Sequence, residues 1–277
     1  MVLGKFIGGT NYIAVSKFIN TLYDKSIIPI IDYAKEGSKT KYDVIQYNNE
    51  ICSLISTVNK DNYNNSIGYA LKLSSFYPYN AQLNIDNVIK KIINTKHINK
   101  YIYFDAEYTI DFDKENLIFD KLIKKYQNVD NLYLFKTYQM YKKNSLNHIE
   151  TDLIKFDKIG FKLVRGAYYN KNDNSLFKNK IDTDINYNKA TELLINNTNN
   201  KICIATHNEE SINYALSLKH GQNVYYAQLL GMADKSTNFL LNNNKNVFKY
   251  VPYGSVFDMY PYLLRRLYEN YQIIKYL

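Results

Sequence analysis

The chain has 277 residues, 46% of them hydrophobic, with 35 Lys+Arg against 26 Asp+Glu and a formal net charge of +9. This length and apolar content suit one large core, and the expectation is a single domain over 1–277, since no Ser/Gly-rich run divides the chain. Two cysteines, Cys52 and Cys203, make neither a disulfide framework nor a metal-spaced cluster, so no metal is expected. No apolar run reaches membrane-spanning length, and the opening MVLGKFIGGTNYIAV lacks both a secretory h-region and an Arg/Ser-rich presequence. The expectation is therefore a soluble or peripheral protein of unassigned compartment. The positive balance raises nucleic acid or an anionic membrane as partner. The lysines are scattered beside Asn and Asp, however, on what read as outer helix faces, so no nucleic-acid partner is expected.

Short β-rich runs recur along the chain: IIPIID (27–32), YALKLSS (69–75), YIYFDAE (101–107), NLYLFKTYQ (131–139), FKLVRGAY (161–168), ICIATHN (202–208), VYYAQLLGM (224–232) and FKYVPYG (248–254). Between them lie amphipathic stretches such as NVIKKIINTKHI (87–98), ENLIFDKLIKKY (115–126) and EESINYALSLK (209–219). Alternating units of this spacing predict a (β/α)8 barrel. An open doubly wound sheet is the second choice. It is disfavoured because no GxGxxG follows any strand, and GKFIGG near the start has the wrong spacing.

A barrel gives meaning to strand ends, because catalytic groups gather at the C-terminal face. Polar residues cluster there: Lys72, Asp105, Glu107, Gln139, Lys162, Arg165, His207, Asn208, Gln228 and Tyr250. Each has a bland explanation. A lysine can snorkel from the rim, an aspartate can cap a turn, a histidine can sit satisfied in a core, and an arginine can pair with a neighbouring acid. Their joint placement at one end of successive strands favours a site. Near the chain end, YLLRRLYEN places Tyr262, Arg265, Arg266 and Glu269 on one helix face. That face is either an exposed ion-pair stripe or a fork that grips a carboxylate, with Glu269 holding it.

IIDYAKE (30–36), LKLSS (71–75), DAE (105–107), TYQMY (137–141), KLVRGAY (162–168), ATHN (205–208), QLLGM (228–232), KYVPYG (249–254) and YLLRRLYEN (262–270) together resemble the proline dehydrogenase family, in the family's order and in eukaryotic-like form. The resemblance implies an FAD-dependent barrel that oxidises L-proline to 1-pyrroline-5-carboxylate and passes electrons to a quinone, possibly at a membrane surface. It implies a last helix lying over the barrel mouth. By position, Lys72, Tyr168, Tyr250, Tyr262, Arg265, Arg266 and Glu269 would form the proline pocket. Tyr250 and Tyr262 would pack on the pyrrolidine ring, and the two arginines would clamp its carboxylate. Asp105 and Lys162 would be the catalytic groups, with a salt link between Lys72 and Asp105 keeping both ionised. Ala106, Gln139, Arg165, Gly166, Ala167, Thr206 and His207 match the flavin contacts. Lys162 matches a position near flavin N5 and N1, where a cation steadies the reduced ring.

Two other readings fit the residues less fully. Lys72, Lys136 and Lys162 on strands would suit a Schiff-base aldolase or lyase. The charge alone would suit a non-catalytic basic binding protein.

Overall fold

The computed structural model describes residues 3–35, 37–61, 64–77, 79–107, 112–167 and 170–269. Among these, eight parallel strands close into a barrel in sequence order: β1 (Ile28–Tyr33), β2 (Ile67–Lys72), β3 (Lys100–Asp105), β4 (Leu132–Gln139), β5 (Gly160–Val164), β6 (Lys201–Ala205), β7 (Val224–Leu229) and β8 (Asn246–Tyr253). β8 pairs back onto β1 from Ile28↔Phe248 to Tyr33↔Tyr253, so the sheet has no open edge. Helices α1 (Tyr12–Tyr23), α2 (Lys41–Asp61), α3 (Ala81–Ile93), α4 (Phe112–Tyr126), α5 (Ser145–Lys155), α6 (Lys180–Asn197), α7 (Glu209–Ser217) and α8 (Asp234–Asn242) alternate with the strands. α9 (Val256–Glu269) follows β8. The barrel expected from the spacing is the fold observed, and the open sheet is excluded by the β1–β8 pairing.

Strands buried on both faces explain the near-continuous apolar runs. Successive side chains alternate between the barrel interior and the helix layer. The interior set is Ile30, Ala70, Tyr101, Tyr103, Phe135, Cys203, Tyr225, Ala227, Phe248 and Tyr250. Aromatic rings fill its lower part: Tyr101 stacks on Tyr133 with centroids 5.3 Å apart and meets Phe248 edge-on at 5.1 Å. Tyr103 stacks on Phe135 at 4.5 Å. Phe135 has room because β5 starts with Gly160, where a Cβ would lie 2.5 Å from the ring. This is a packed plug, not a pore.

The strands are shorter at their C-terminal ends than the sequence runs suggest. β2 stops at Lys72 and Leu73–Phe76 coil into a 3-10 turn; β5 stops at Val164, β6 at Ala205 and β7 at Leu229. The residues expected in the site thus fall on the last inward positions of strands or just beyond, where the ladder ends and the backbone is free to turn toward a ligand. Asparagine caps fix several helix starts. Asn11 accepts from Ala14 N–H at 2.9 Å, Asn179 from Asp182 N–H at 2.7 Å and Asn208 from Ser211 N–H at 2.9 Å. On α9, Met259 packs with Ala34, and Leu263 packs on Phe6 and Met232 at the C-terminal end of the barrel. The last helix therefore packs at the C-terminal end of the barrel, beside residues that follow β1 and β7.

Candidate active site

At the C-terminal face the barrel interior changes from aromatic to charged. Asp32 on β1, Lys72 on β2, Asp105 on β3 and Lys162 on β5 continue the inward rows above Ile30, Ala70, Tyr103 and Gly160. Lys72 is almost wholly buried and bonds Asp32 Oδ1; it also donates to the Tyr33 carbonyl at 2.7 Å. Burial opposes its charge, but the carboxylates of Asp32 and, more weakly, Asp105 hold its pKa above the ordinary lysine range. Lys162 Nζ donates to Asp105 Oδ1 at 2.6 Å and lies 4.5 Å from the Tyr250 ring centroid. Tyr250 donates its phenol to Asp105 Oδ1 at 3.2 Å, and burial, then the Asp105 charge, keeps that phenol protonated far above neutral pH.

This pairing corrects one expectation. The ion pair of Lys72 runs to Asp32, and that of Asp105 runs to Lys162. The register explains it. β1 and β2 bring Asp32 opposite Ala70, so Lys72 begins two residues on and reaches sideways to the shorter carboxylate. Asp32 stands in the IIDYAKE motif, and sequence reasoning misses its part in this pair. The available signal was an acid at an inward position of a buried strand, next to a strand ending in an inward lysine.

Lys72, Asp105, Lys162 and Tyr250 line a cavity of about 360 Å³. Small residues, Ala106, Ala167, Ala205 and Ala227 among them, line it and leave space for a flat group. Gly166 has φ +129, and a Cβ there would meet the Tyr141 ring at 2.0 Å, so no other residue fits this bend. Arg165 borders the cavity with its guanidinium anchored through Nε, Nη1 and Nη2, one bond each, which leaves one N–H on each Nη beyond these bonds. Nε donates to Asp184 Oδ1 at 2.7 Å, Nη1 to Thr206 Oγ1 and Nη2 to Ser211 Oγ at 2.8 Å, with the group 4.5 Å from the Tyr187 ring centroid. A planar cation held on four sides is a preorganised donor. His207 accepts the Leu229 N–H on Nε2 at 2.9 Å, which makes Nδ1 the protonated nitrogen of the neutral ring. Gln139 and Thr206 complete the cavity's polar lining from β4 and the end of β6.

The expected residues are thus brought together in one cavity wherever the structure describes them. Asn208 also borders it but serves as the α7 cap. Lys136 faces the other way and pairs with Asp152 of α5 at 2.6 Å. Tyr168 lies outside the described residues. Tyr262, Arg265, Arg266 and Glu269 lie on the described backbone of α9, with side chains outside the described set. The supports of Arg165, namely Asp184, Tyr187 and Ser211, come from α6 and α7 and could be found only with the fold in hand. Among the described residues no cluster of His, Cys, Asp or Glu could hold a metal ion, and no helix is long and apolar enough to cross a membrane.

A family model described as proline dehydrogenase matches residues 15–275. The chain belongs to the proline dehydrogenase family. It is 35% identical over 170 residues to proline dehydrogenase 1, mitochondrial, of Dictyostelium discoideum, covering 52% of this chain and 30% of that protein. The human proline dehydrogenase 1, mitochondrial, is 31% identical over 172 residues, covering 53% and 29%. A Xenopus laevis hydroxyproline dehydrogenase is 30% identical over 200 residues, covering 63% and 42%. The alignments thus span less than half the length of these relatives. The fold also matches proline utilization A from Bdellovibrio bacteriovorus inactivated by N-propargylglycine, with TM-score 0.86 and 17% identity over 97% of this chain and 32% of that one. At that identity the likeness is one of fold. The family's barrel architecture and this closed eight-stranded sheet agree.

Proposed function

We propose that this member of the proline dehydrogenase family is an FAD-dependent enzyme that oxidises L-proline to 1-pyrroline-5-carboxylate and delivers the electrons to a quinone. The observation that carries the reading is a single cavity shared by two sets of residues. Lys72, Asp105, Lys162 and Tyr250 make one set, and Ala106, Gln139, Arg165, Gly166, Ala167, Thr206 and His207 the other.

The second set fits a flavin. A flat ring system with a polar edge needs small residues against its faces and fixed donors at its rim. Ala106, Gly166 and Ala167 supply the first; Arg165 and the Nδ1–H of His207 supply the second. Bound FAD would supply hydride acceptance. The chain's own residues do the rest. Arg265 and Arg266 hold the proline carboxylate, with Glu269 keeping the fork in place, and Tyr168, Tyr250 and Tyr262 pack on the pyrrolidine ring. Lys162 sets a positive charge beside the cavity, and Asp105 keeps that charge and the Tyr250 phenol in one orientation. The single-domain reading over 1–277 belongs to the same proposal. So does contact with a membrane surface where the quinone resides. The mitochondrial names of the relatives favour that compartment.

The Schiff-base alternative loses support. Such a lysine must be a neutral amine, whereas Lys72 has its pKa raised inside an ion pair, Lys162 is ion-paired with Asp105 at 2.6 Å, and Lys136 points behind the barrel. The test is a visible spectrum. Purified protein reconstituted with FAD should show flavin bands that bleach on anaerobic addition of L-proline, and less on addition of 4-hydroxyproline. Absence of FAD binding at saturating concentration would end the flavin reading. Bound FAD that neither imino acid reduces would end the substrate reading.

A further inference from the structure

Behind the cavity wall lies a buried cation that the proposed chemistry does not use. Lys249 stands on β8 between Phe248 and Tyr250, which face the barrel interior, so its own side chain faces outward to β7 and α8. Its Nζ donates to the Met232 carbonyl at 2.5 Å and to Gln228 Oε1 at 3.2 Å. Gln228 Oε1 also accepts from Thr237 Oγ1 of α8 at 2.5 Å. One ammonium thereby ties together β7, β8 and the first turns of α8.

The turn it holds is strained. Gly231 has φ +74, and a Cβ there would lie 2.5 Å from the Lys5 carbonyl oxygen. Ala233, at the α8 N-cap, has φ +55, a left-handed conformation that its Cβ disfavours. The same segment shapes the cavity. Leu229 and Met232 line it, and Leu229 N–H holds the His207 ring. If the tie to Met232 is lost, the turn can relax and take that wall with it.

We propose that Lys249 is a positioning residue for cofactor binding: its ammonium pins the strained β7–α8 turn so that Leu229, Met232 and, through Leu229, His207 keep the cavity in its binding shape. This rests on the flavin reading above. Burial lowers the Lys249 pKa to about 8, and Asp234, 3.8 Å away on α8, opposes that shift. Asp234 is the charged group set against it among the described residues; its partners on β7 and in the turn, Gln228 and the Met232 carbonyl, are neutral. A neutral amine keeps two N–H donors but loses the charge-assisted strength of the pin. The pin therefore holds below pH about 8 and weakens above it.

The experiment uses the full chain and FAD as the probe. FAD dissociation constants are measured from pH 6.5 to 9.5, and amide exchange of the 229–236 segment is followed with and without FAD. In the wild type the constant should rise about tenfold across that range. Lys249→Met should bind FAD about tenfold more weakly at pH 7, show no such rise, and lose amide protection in the turn. Asp234→Asn, a change at an exposed helix start, should move the wild-type midpoint to lower pH and keeps the test open if Lys249→Met does not fold. Wild-type affinity and pH profile in Lys249→Met, an unmoved midpoint in Asp234→Asn, or lost turn protection with unchanged FAD affinity would each overturn the proposal. A wild type that binds no FAD at pH 7, yet shows turn protection dependent on Lys249, would sink the flavin reading and leave the pinned turn standing.

Discussion

Two lysine–carboxylate pairs stand side by side at the top of this barrel, and their surroundings give them different work. Lys72 and Asp32 are both 2% exposed, and Lys72 is bonded on a further side to the Tyr33 carbonyl. Lys162 and Asp105 are 7% and 17% exposed, share Tyr250, and open on the cavity. A dry pair cannot exchange partners, so its charges are fixed parts of the fold. Lys72 also touches the cavity, but at 2% exposure it offers a ligand little, whereas a ligand can compete for the charges of the more open Lys162–Asp105 pair. The same two residue types thus sit in two different settings, one closed to a ligand and one open to it, and burial makes the difference.

The largest effect is expected from breaking the dry pair. Asp32→Ala leaves the Lys72 ammonium buried without its counter-ion, which costs about 3–5 kcal/mol in urea unfolding. The pH sign is diagnostic. In the wild type the Lys72 pKa is raised, so the pair's contribution is fully present below the unfolded lysine value of about 10.4 and is lost only as pH rises through the higher folded value. In Asp32→Ala burial, the largest influence on Lys72, is opposed only by Tyr47 and Asp105, which act more weakly, so the pKa should fall and stability should increase with pH from neutrality upward. A variant within 1 kcal/mol of wild type, by this order-of-magnitude scale, would mean that water reaches Lys72 and the contrast between the pairs is wrong.

The open pair should answer in the opposite currency of measurement, rate before stability. Lys162→Met removes the cation of a mostly buried pair, but Asp105 keeps the Tyr250 phenol as donor and borders the cavity, so unfolding should be affected less than in Asp32→Ala. Anaerobic flavin reduction by proline should slow about a hundredfold, the scale of removing one fixed group that stabilises developing charge. A large stability loss with normal reduction would place Lys162 with Lys72 as a structural cation.

How much of this contrast was legible beforehand follows from distance along the chain. The barrel was legible because β-rich runs and amphipathic stretches alternate, and each strand reports its own two-sided burial locally. The polar residues that line the cavity were legible because strand ends are local features as well. The pairing was not. Asp32 and Lys72 are 40 residues apart, and Lys162 and Asp105 are 57 apart, so which lysine meets which acid depends on register and reach across strands. The tethers of Arg165 to Asp184 and Ser211 likewise depend on where α6 and α7 dock. Asn208 was grouped with the site by position, although its side-chain oxygen caps α7.

The proposed carboxylate fork on α9 extends the comparison to a second pair of cations. Arg265→Met and Arg266→Met should each raise the proline KM roughly ten- to a hundredfold with FAD still bound, since a charge-assisted hydrogen bond in a water-poor site is worth about 1.5–3 kcal/mol. Arg265→Lys should recover little, because the planar fork is lost while the charge remains. Normal KM values with a small drop in Tm would describe a solvated ion-pair stripe, and the carboxylate would have to be held elsewhere.

The smallest effect separates fold from site within a single loop. Asn208 and His207 are neighbours at the end of β6, and both border the cavity, but their bonds run in different directions. Asn208 accepts from Ser211 N–H, and its own N–H donates to Thr206 Oγ1 at 3.1 Å. Asn208→Ala removes an N-cap and should cost about 1 kcal/mol in unfolding. Asn208→Asp keeps the acceptor and adds a charge favourable to the α7 N-terminus, so it should recover most of that loss. FAD affinity should stay near wild type in Asn208→Asp and fall only slightly in Asn208→Ala. His207→Ala should do the reverse, weakening FAD binding while barely changing Tm. If Asn208→Asp regains stability but binds FAD much more weakly, the side chain does more than cap the helix, and the division between residues that hold the barrel and residues that hold the cofactor would have to run through Asn208 itself.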